Sequence, residues 1–156
     1  DNIKYSILTN GLMFKEFHAR VPYVINNLQE LGVSIDGATK ETYEKLRLGG
    51  KWEKILEGLE CMAEQKRKHG FRFILHFVVQ KDNYHEMEDI IGLGEQYGAD
   101  RVWFSRIHDW NTWSNFGEHN IFDHKHPQHQ KYKQHLNKVV ELNSSIVETA
   151  TLRQLH

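Results

Sequence analysis

The chain has 156 residues, enough for one domain with a packed core and too few for two ordinary ones. Hydrophobic residues make up 39% and aromatics 12%, with four Trp and eight Phe, a composition that folds and that excludes global disorder. The formal charge of −1 removes the electrostatic case for nucleic acid or an anionic membrane surface as partner, and the longest apolar runs, such as Phe77-Val78-Val79, fall far short of the roughly 20 residues that span a bilayer.

These exclusions leave a small-molecule partner and a cytoplasmic location as the expectation, since no signal-peptide pattern opens the chain. The one cysteine, Cys61, rules out an internal disulfide and cannot by itself build a Cys-ligated zinc or iron-sulfur site. The chain opens at Asp1 without Met and enters an apolar strand-like run within two residues, so it is expected to be cut from a longer protein.

Ile3-Lys4-Tyr5-Ser6-Ile7-Leu8 is short and β-rich and closes at Thr9-Asn10-Gly11, a strand followed by a turn. Over residues 13 to 29, Phe14, Phe17, Val21, Val24, Ile25 and Leu28 fall close to helical spacing, with Pro22 marking a break or a late helix start. Leu31-Gly32-Val33-Ser34-Ile35-Asp36-Gly37 is a second strand with its turn. Thr39 is placed to cap a helix over residues 40 to 47, with Glu41 in its first turn and Gly49-Gly50 at its end. The capping box is incomplete, because Thr42 stands where Glu or Gln would be needed. Residues 52 to 68 put Trp52, Ile55, Leu59 and Met62/Ala63 on one face and close at His69-Gly70.

The run from Phe71 to Gln80 is a third strand, and its consecutive apolar residues suit burial on both faces, as in a parallel sheet. Asp82 or Asn83 is placed to cap a helix over residues 84 to 97 ending at Gly98, and Arg101 to Ile107 form a fourth strand. The pattern then dissolves for about 18 residues into Trp110, Trp113, Phe116 and a run of His before a polar helix from roughly 127 to 142. Long loops of this kind are normally functional or flexible.

This order predicts consecutive βα units joined by right-handed crossovers into a parallel sheet. The fold class is α/β, a partial (β/α) barrel, with a doubly wound open sheet as the alternative. Residues 1–110 form the barrel portion, and residues 111–156 add the His/Trp-rich loop and C-terminal helix to the same domain. In either fold, ligands sit beyond the carboxyl ends of the strands, where TNG, SIDG, QKDN and the loop after Ile107 gather.

Ser34 and Asp36 alternate with Val33 and Ile35, so both polar side chains point to one face near a strand's end, suited to the hydroxyls or amine of a polar ligand. The same residues also suit an Asx-type turn before Gly37 and a local bond by Ser34. Asn10 and Asn83 suit a left-handed backbone conformation. His108, His119, His124, His126 and His129 give five His in 22 residues, and imidazole suits zinc, nickel or copper. No pair, however, stands at i, i+4 spacing inside a Glu-bearing motif. The loop's Trp110, Trp113 and Phe116 suit packing over the barrel mouth or substrate recognition.

TNG closing one strand, SIDGATKETYEKLRLGGKWEKILEGLE across the end of the next and HFVVQKDNYHEMEDII after that resemble, over about residues 3 to 110, the middle of the radical S-adenosylmethionine (SAM) superfamily. The likeness is greatest to members carrying a SPASM or twitch extension. The resemblance implies a partial barrel whose strands match the third to sixth of that family, and SAM as cofactor. It makes Ser34 the candidate for the ribose or methionine part of SAM, with Asp36 shaping the same edge and Asn10 contributed by TNG. Arg47, with Tyr43 and Gly49 around it, is the candidate for the SAM carboxylate, onto which a guanidinium forks well. Val78 to Gln80 and the backbone after Ile107 would lie near the adenine.

The family's chemistry also needs a [4Fe-4S] cluster held by three cysteines in C-x3-C-x2-C, and a Gly-Gly-Glu motif that grips the SAM amine. This chain has neither, so the cluster is not expected in it. The resemblance therefore implies the middle and late part of a radical SAM enzyme, inactive as given. Two alternatives stand beside this: a non-catalytic barrel-like domain for binding or assembly, and a metal-dependent barrel enzyme using the His-rich loop. A piece of barrel leaves two open sheet edges, and self-association through them is expected.

Overall fold

A computed structural model of the chain describes residues 3–111, 113–149 and 152. Asp1, to which the expectation of a cut chain is tied, lies outside them, as do parts of the segment after residue 149. The strands are β1 (Tyr5–Thr9), β2 (Leu28–Ser34), β3 (Arg72–Val79), β4 (Arg101–Arg106) and β5 (Val147–Glu148). The helices are α1 (Phe14–Arg20), α2 (Lys40–Leu46), α3 (Trp52–His69), α4 (Met87–Gln96), α5 (Phe116–His119) and α6 (His129–Glu141). All strand pairs are parallel, and the sheet order is β1-β2-β3-β4-β5.

Sequential order decides between the two architectures left open by periodicity. A doubly wound sheet reverses its strand order at a switch point and carries helices on both faces. Here Val33, Leu75 and Val102 form one row across three strands, and both central helices pack on that row's side. A Cβ on Gly11 would touch Ile55 and Met62 of α3 together with Val33, and one on Gly94 of α4 would touch Val102 and Leu75. Right-handed crossovers in one direction put α3 and α4 on the same face, as in a (β/α) barrel. The expected fold class stands, as an open five-stranded piece.

On the helical side Leu31, Val33, Phe73, Leu75, Phe77 and Phe104 are fully buried, each burial contributing about 1.5–3 kcal/mol. Phe77 and Phe104 meet edge to face at 5.6 Å. On the other side the next row, Ser34, His76 and Trp103, is only half-buried. The His76 ring lies over Gly32, where a Cβ would come within 2.8 Å of Nε2, and stacks on Trp103 at 5.3 Å. Burial pushes the His76 imidazole below its ordinary range, against Glu30 and Asp36.

Several elements differ from expectation. The helical spacing over residues 13 to 29 breaks into α1 and a 3-10 turn at Pro22–Ile25, because proline has no N–H to continue a helix. The second strand starts at Leu28, three residues early, with Gln29 exposed. The helix expected over 84 to 97 begins as a 3-10 turn, Tyr84–Glu86, before α4. A short fifth strand adds to the four expected. Thr39 does cap α2, accepting from Thr42 N–H at 3.3 Å, and Gly70 ends α3 in the left-handed conformation. Among the described residues no helix is long and apolar enough to cross a membrane.

Candidate functional site

The turn after β2 is built by residues distant in sequence. Asp36 adopts φ 50, and its carboxylate turns away from its own loop to accept Val78 N–H at 2.7 Å and pair with Arg47 Nη2 at 2.6 Å. Burial pushes the Asp36 carboxyl above its ordinary range, opposed by the Arg47 guanidinium and the Val78 amide. Gly37 is required here, since a Cβ would stand 2.5 Å from the backbone N of Tyr43 in α2. Tyr43 is fully buried, its ring tilted on Trp52 at 5.6 Å.

Two side chains after β3 hold this turn. Asn83, fully buried, donates from Nδ2 to Asp36 O at 3.0 Å and Val78 O at 2.9 Å, and accepts Gln80 N–H on Oδ1 at 2.8 Å. Glu86 accepts from Ala38 N–H at 2.6 Å, Thr39 N–H at 3.3 Å, Thr39 Oγ1 at 2.7 Å and Thr42 Oγ1 at 2.5 Å. Burial pushes the Glu86 carboxyl up, but the Thr42 and Thr39 hydroxyls and the two amides together hold it below its ordinary value.

Beside this turn lies a cavity of about 660 Å³, open at the carboxyl edge, with Asp36, Arg47, Val78, Gln80, Ile107 and His119 on its walls. Three of its buried polar atoms have no hydrogen-bond partner: Arg47 Nε, Gln80 Oε1 and His119 Nδ1, the last 3.9 Å from Asp82 Oδ2. A buried donor and acceptor left unmade are costly in a native structure and point to a partner that arrives from outside. The cavity offers an unpartnered donor, an unpartnered acceptor and an apolar wall at Val78 and Ile107.

The sequence candidates divide. Asp36 and Arg47 meet, and both line the cavity. Ser34 stands half-buried on the open face of the sheet, off the cavity wall. Asn10 stands one position past the Thr9–Val33 pair, level with Ser34, where it is exposed and accepts Leu12 N–H at 3.3 Å. The Asx-type reading of Asp36 is corrected, because the carboxylate bonds across to Val78 of β3 and to Arg47, which follows α2. Asn83 is likewise no left-handed turn residue, with φ −139, and its side chain caps no helix. Glu86 was absent from the sequence reading; its one signal is an Asn-x-x-Glu spacing after a strand.

In the histidine-rich loop, His119 packs on Trp113 at 4.2 Å, His126 bonds Glu118 O at 3.1 Å and His129 bonds Ile121 O at 2.8 Å. Among the described residues no group of three His, Cys, Asp or Glu side chains is placed to hold a metal ion. The metal-dependent alternative finds no ligand set in this loop.

No family model matches the chain. Over 103 residues, 62% of the chain, it is 31% identical to the AdoMet-dependent heme synthase of Methanosarcina barkeri (strain Fusaro / DSM 804), covering 27% of that protein. In fold it resembles Streptococcus suis SuiB bound to its precursor peptide SuiA, with TM-score 0.61 and 11% identity over 94% of this chain and 31% of that one. SuiB bound to S-adenosylmethionine gives TM-score 0.59, 12% identity and coverage of 94% and 30%. The chain therefore spans less than a third of the proteins it matches. The SuiB likeness is one of fold. With the heme synthase match, it supports the radical SAM superfamily that the motifs resemble.

Proposed function

We propose that this chain is the middle and late portion of a radical SAM enzyme of the SPASM or twitch type, and that its carboxyl edge is part of the SAM site. In the intact enzyme a [4Fe-4S] cluster would supply the electron for reductive cleavage of SAM to a 5′-deoxyadenosyl radical. The observation that carries this reading is the cavity between the SIDG turn and the ends of β3 and β4, where Arg47 Nε and Gln80 Oε1 lack partners. Those residues fit SAM. Val78 and Ile107 offer an apolar wall to a base, Gln80 Oε1 an acceptor for an amino group, and Arg47 Nε a donor for a carboxylate. Ser34 and Asn10, on the adjoining open face, would take the ribose or methionine end, and Asp36 would hold Arg47 in place.

The residues present do not fit the cluster. Cys61 lies half-buried midway along α3, with burial pushing its thiol above the ordinary range, and one thiol cannot replace three. On this reading the chain alone does not cleave SAM. It is cytoplasmic, with residues 1–110 and 111–156 in one domain and without nucleic acid or membrane as partner. The exposed Leu8, Met13 and Phe17 beside the free edge of β1 favour self-association, and a monomer by light scattering at micromolar concentration would count against that part.

Calorimetric titration of SAM into the chain tests the reading, with Arg47→Ala and Ser34→Ala as controls. Weak binding lost in the controls is expected. Absence of binding at millimolar SAM removes the proposed site.

A further inference from the structure

We infer that Asn83, seconded by Glu86, is the positioning residue of the carboxyl-edge site: it sets the SIDG turn against the end of β3 and so fixes ligand contacts that it does not make itself. The ligand side of this inference rests on the SAM reading above; the positioning side stands on geometry alone.

Asn83 is fully buried and lines no part of the cavity. Its amide nitrogen bridges Asp36 O and Val78 O, 47 and 5 residues away in the chain, and thereby sets the spacing of the β2 and β3 ends. Asp36 stands at φ 50, a left-handed conformation uncommon for non-glycine residues though Asp tolerates it better than most, and Asn83 bonds its carbonyl there. Glu86 clamps the residues that follow, through Ala38, Thr39 and Thr42. The consequence reaches the cavity, because Asp36 Oδ2 holds Arg47, whose Nε is one of the unpartnered wall atoms. Gln80, which supplies another, has its backbone N–H bound by Asn83 Oδ1. Supporting side chains of this kind commonly decide whether a site holds its geometry.

The local alternative is that Asn83 only shapes its own turn through the Gln80 bond. Asn83→Asp separates the two: it keeps an acceptor for Gln80 N–H and loses the donor to Asp36 and Val78. On the full chain, SAM calorimetry is combined with amide hydrogen exchange at Val78 and Ala38. Asn83→Asp and Asn83→Ala are both expected to lose at least tenfold in SAM affinity and at least tenfold in Val78 amide protection. Phe73→Leu, a core change at the amino end of β3, is expected to lower stability while leaving affinity within twofold. Should Asn83→Asp not fold, Thr42→Val, which deletes one hydroxyl donor to Glu86 and keeps shape, is expected to weaken SAM binding about threefold and speed exchange at Ala38.

Wild-type Val78 protection and affinity in Asn83→Asp overturn the inference, as does unchanged affinity and Ala38 exchange in Thr42→Val. If the wild-type chain binds no SAM, the proposed function fails, while Val78 exchange in Asn83→Asp still decides the positioning role.

Discussion

The two ends of the carboxyl edge are built in opposite ways. At β2 and β3 the turns are tied by side chains that reach 42 to 48 residues along the chain: Asp36 to Val78, Asn83 to Asp36, and Glu86 to Ala38. After β4 the ties of the loop reach mostly two or eight residues, as in Asn111 to Asp109, Lys125 to Asp123 and His126 to Glu118. Longer ties join the two ends at His119, whose O accepts Lys81 N–H and whose Nδ1 lies 3.9 Å from Asp82 Oδ2. Trp110 in that loop is 78% exposed, whereas Glu86 is 3% exposed. A half held by buried, long-range bonds keeps one shape whatever binds; a half held by local turns can re-form around different ligands. The difference teaches where affinity for a constant cofactor and selectivity for a variable substrate would divide on this edge.

The largest expected effect breaks the rigid end. Glu86→Ala strands two hydroxyls and two amides that now share one carboxylate, and should cost about 3 kcal/mol by urea denaturation. A cost under about 1 kcal/mol would mean that water replaces the carboxylate and that the two ends are less different than their bonds suggest.

Next in size is a pair of opposite pH dependences. Glu86 is held below its ordinary value by its four donors, so its contribution is present above about pH 4 and is lost as pH falls through the lowered native value. The stability deficit of Glu86→Gln should therefore grow as pH rises from 3 to 6. Asp36 is raised by burial, so its contribution is present below about pH 4 and is lost as pH rises through the raised native value. The stability deficit of Asp36→Asn should shrink over the same interval, as burial penalises the ionising carboxyl. Using each variant against the wild type cancels His76 and the other groups common to both. Parallel slopes for the two variants would refute the assignment of opposite environments to these carboxylates.

What was legible in the sequence follows the range of the forces involved. Strand alternation, the Thr39 cap and the Gly70 terminus are local, and each lies where its few neighbours place it. Asp36 was recognisable as an edge residue, but its bonding was not, because Val78 is 42 residues away. Asn83 does stand in a turn, its N–H bonded to Gln80 O, but not in the left-handed conformation expected of it, and the sequence around it hides its bond to Asp36, 47 residues away. Glu86 resembles any acidic residue entering a helix until folding brings Thr39 and Thr42 beneath it. Val147–Glu148 pairs with β4 and is too short to carry a period.

The smallest effects belong to the loop. His124 is exposed and faces Asp123 at 3.6 Å, and Trp110 touches His108 at a ring distance of 6.3 Å. Alanine at either position should change stability by no more than about 0.5 kcal/mol, and EDTA should leave the Tm of the chain unmoved, since the loop's imidazoles bond carbonyls or pack on rings. Trp110→Ala sharpens the comparison in a second way. It lines the same cavity as Arg47 but with no buried bond to hold it, so SAM affinity should fall less than threefold, against at least tenfold for Arg47→Ala. Equal losses would place the loop inside the constant half of the site, and the division between a fixed and an adaptable end would have to be abandoned.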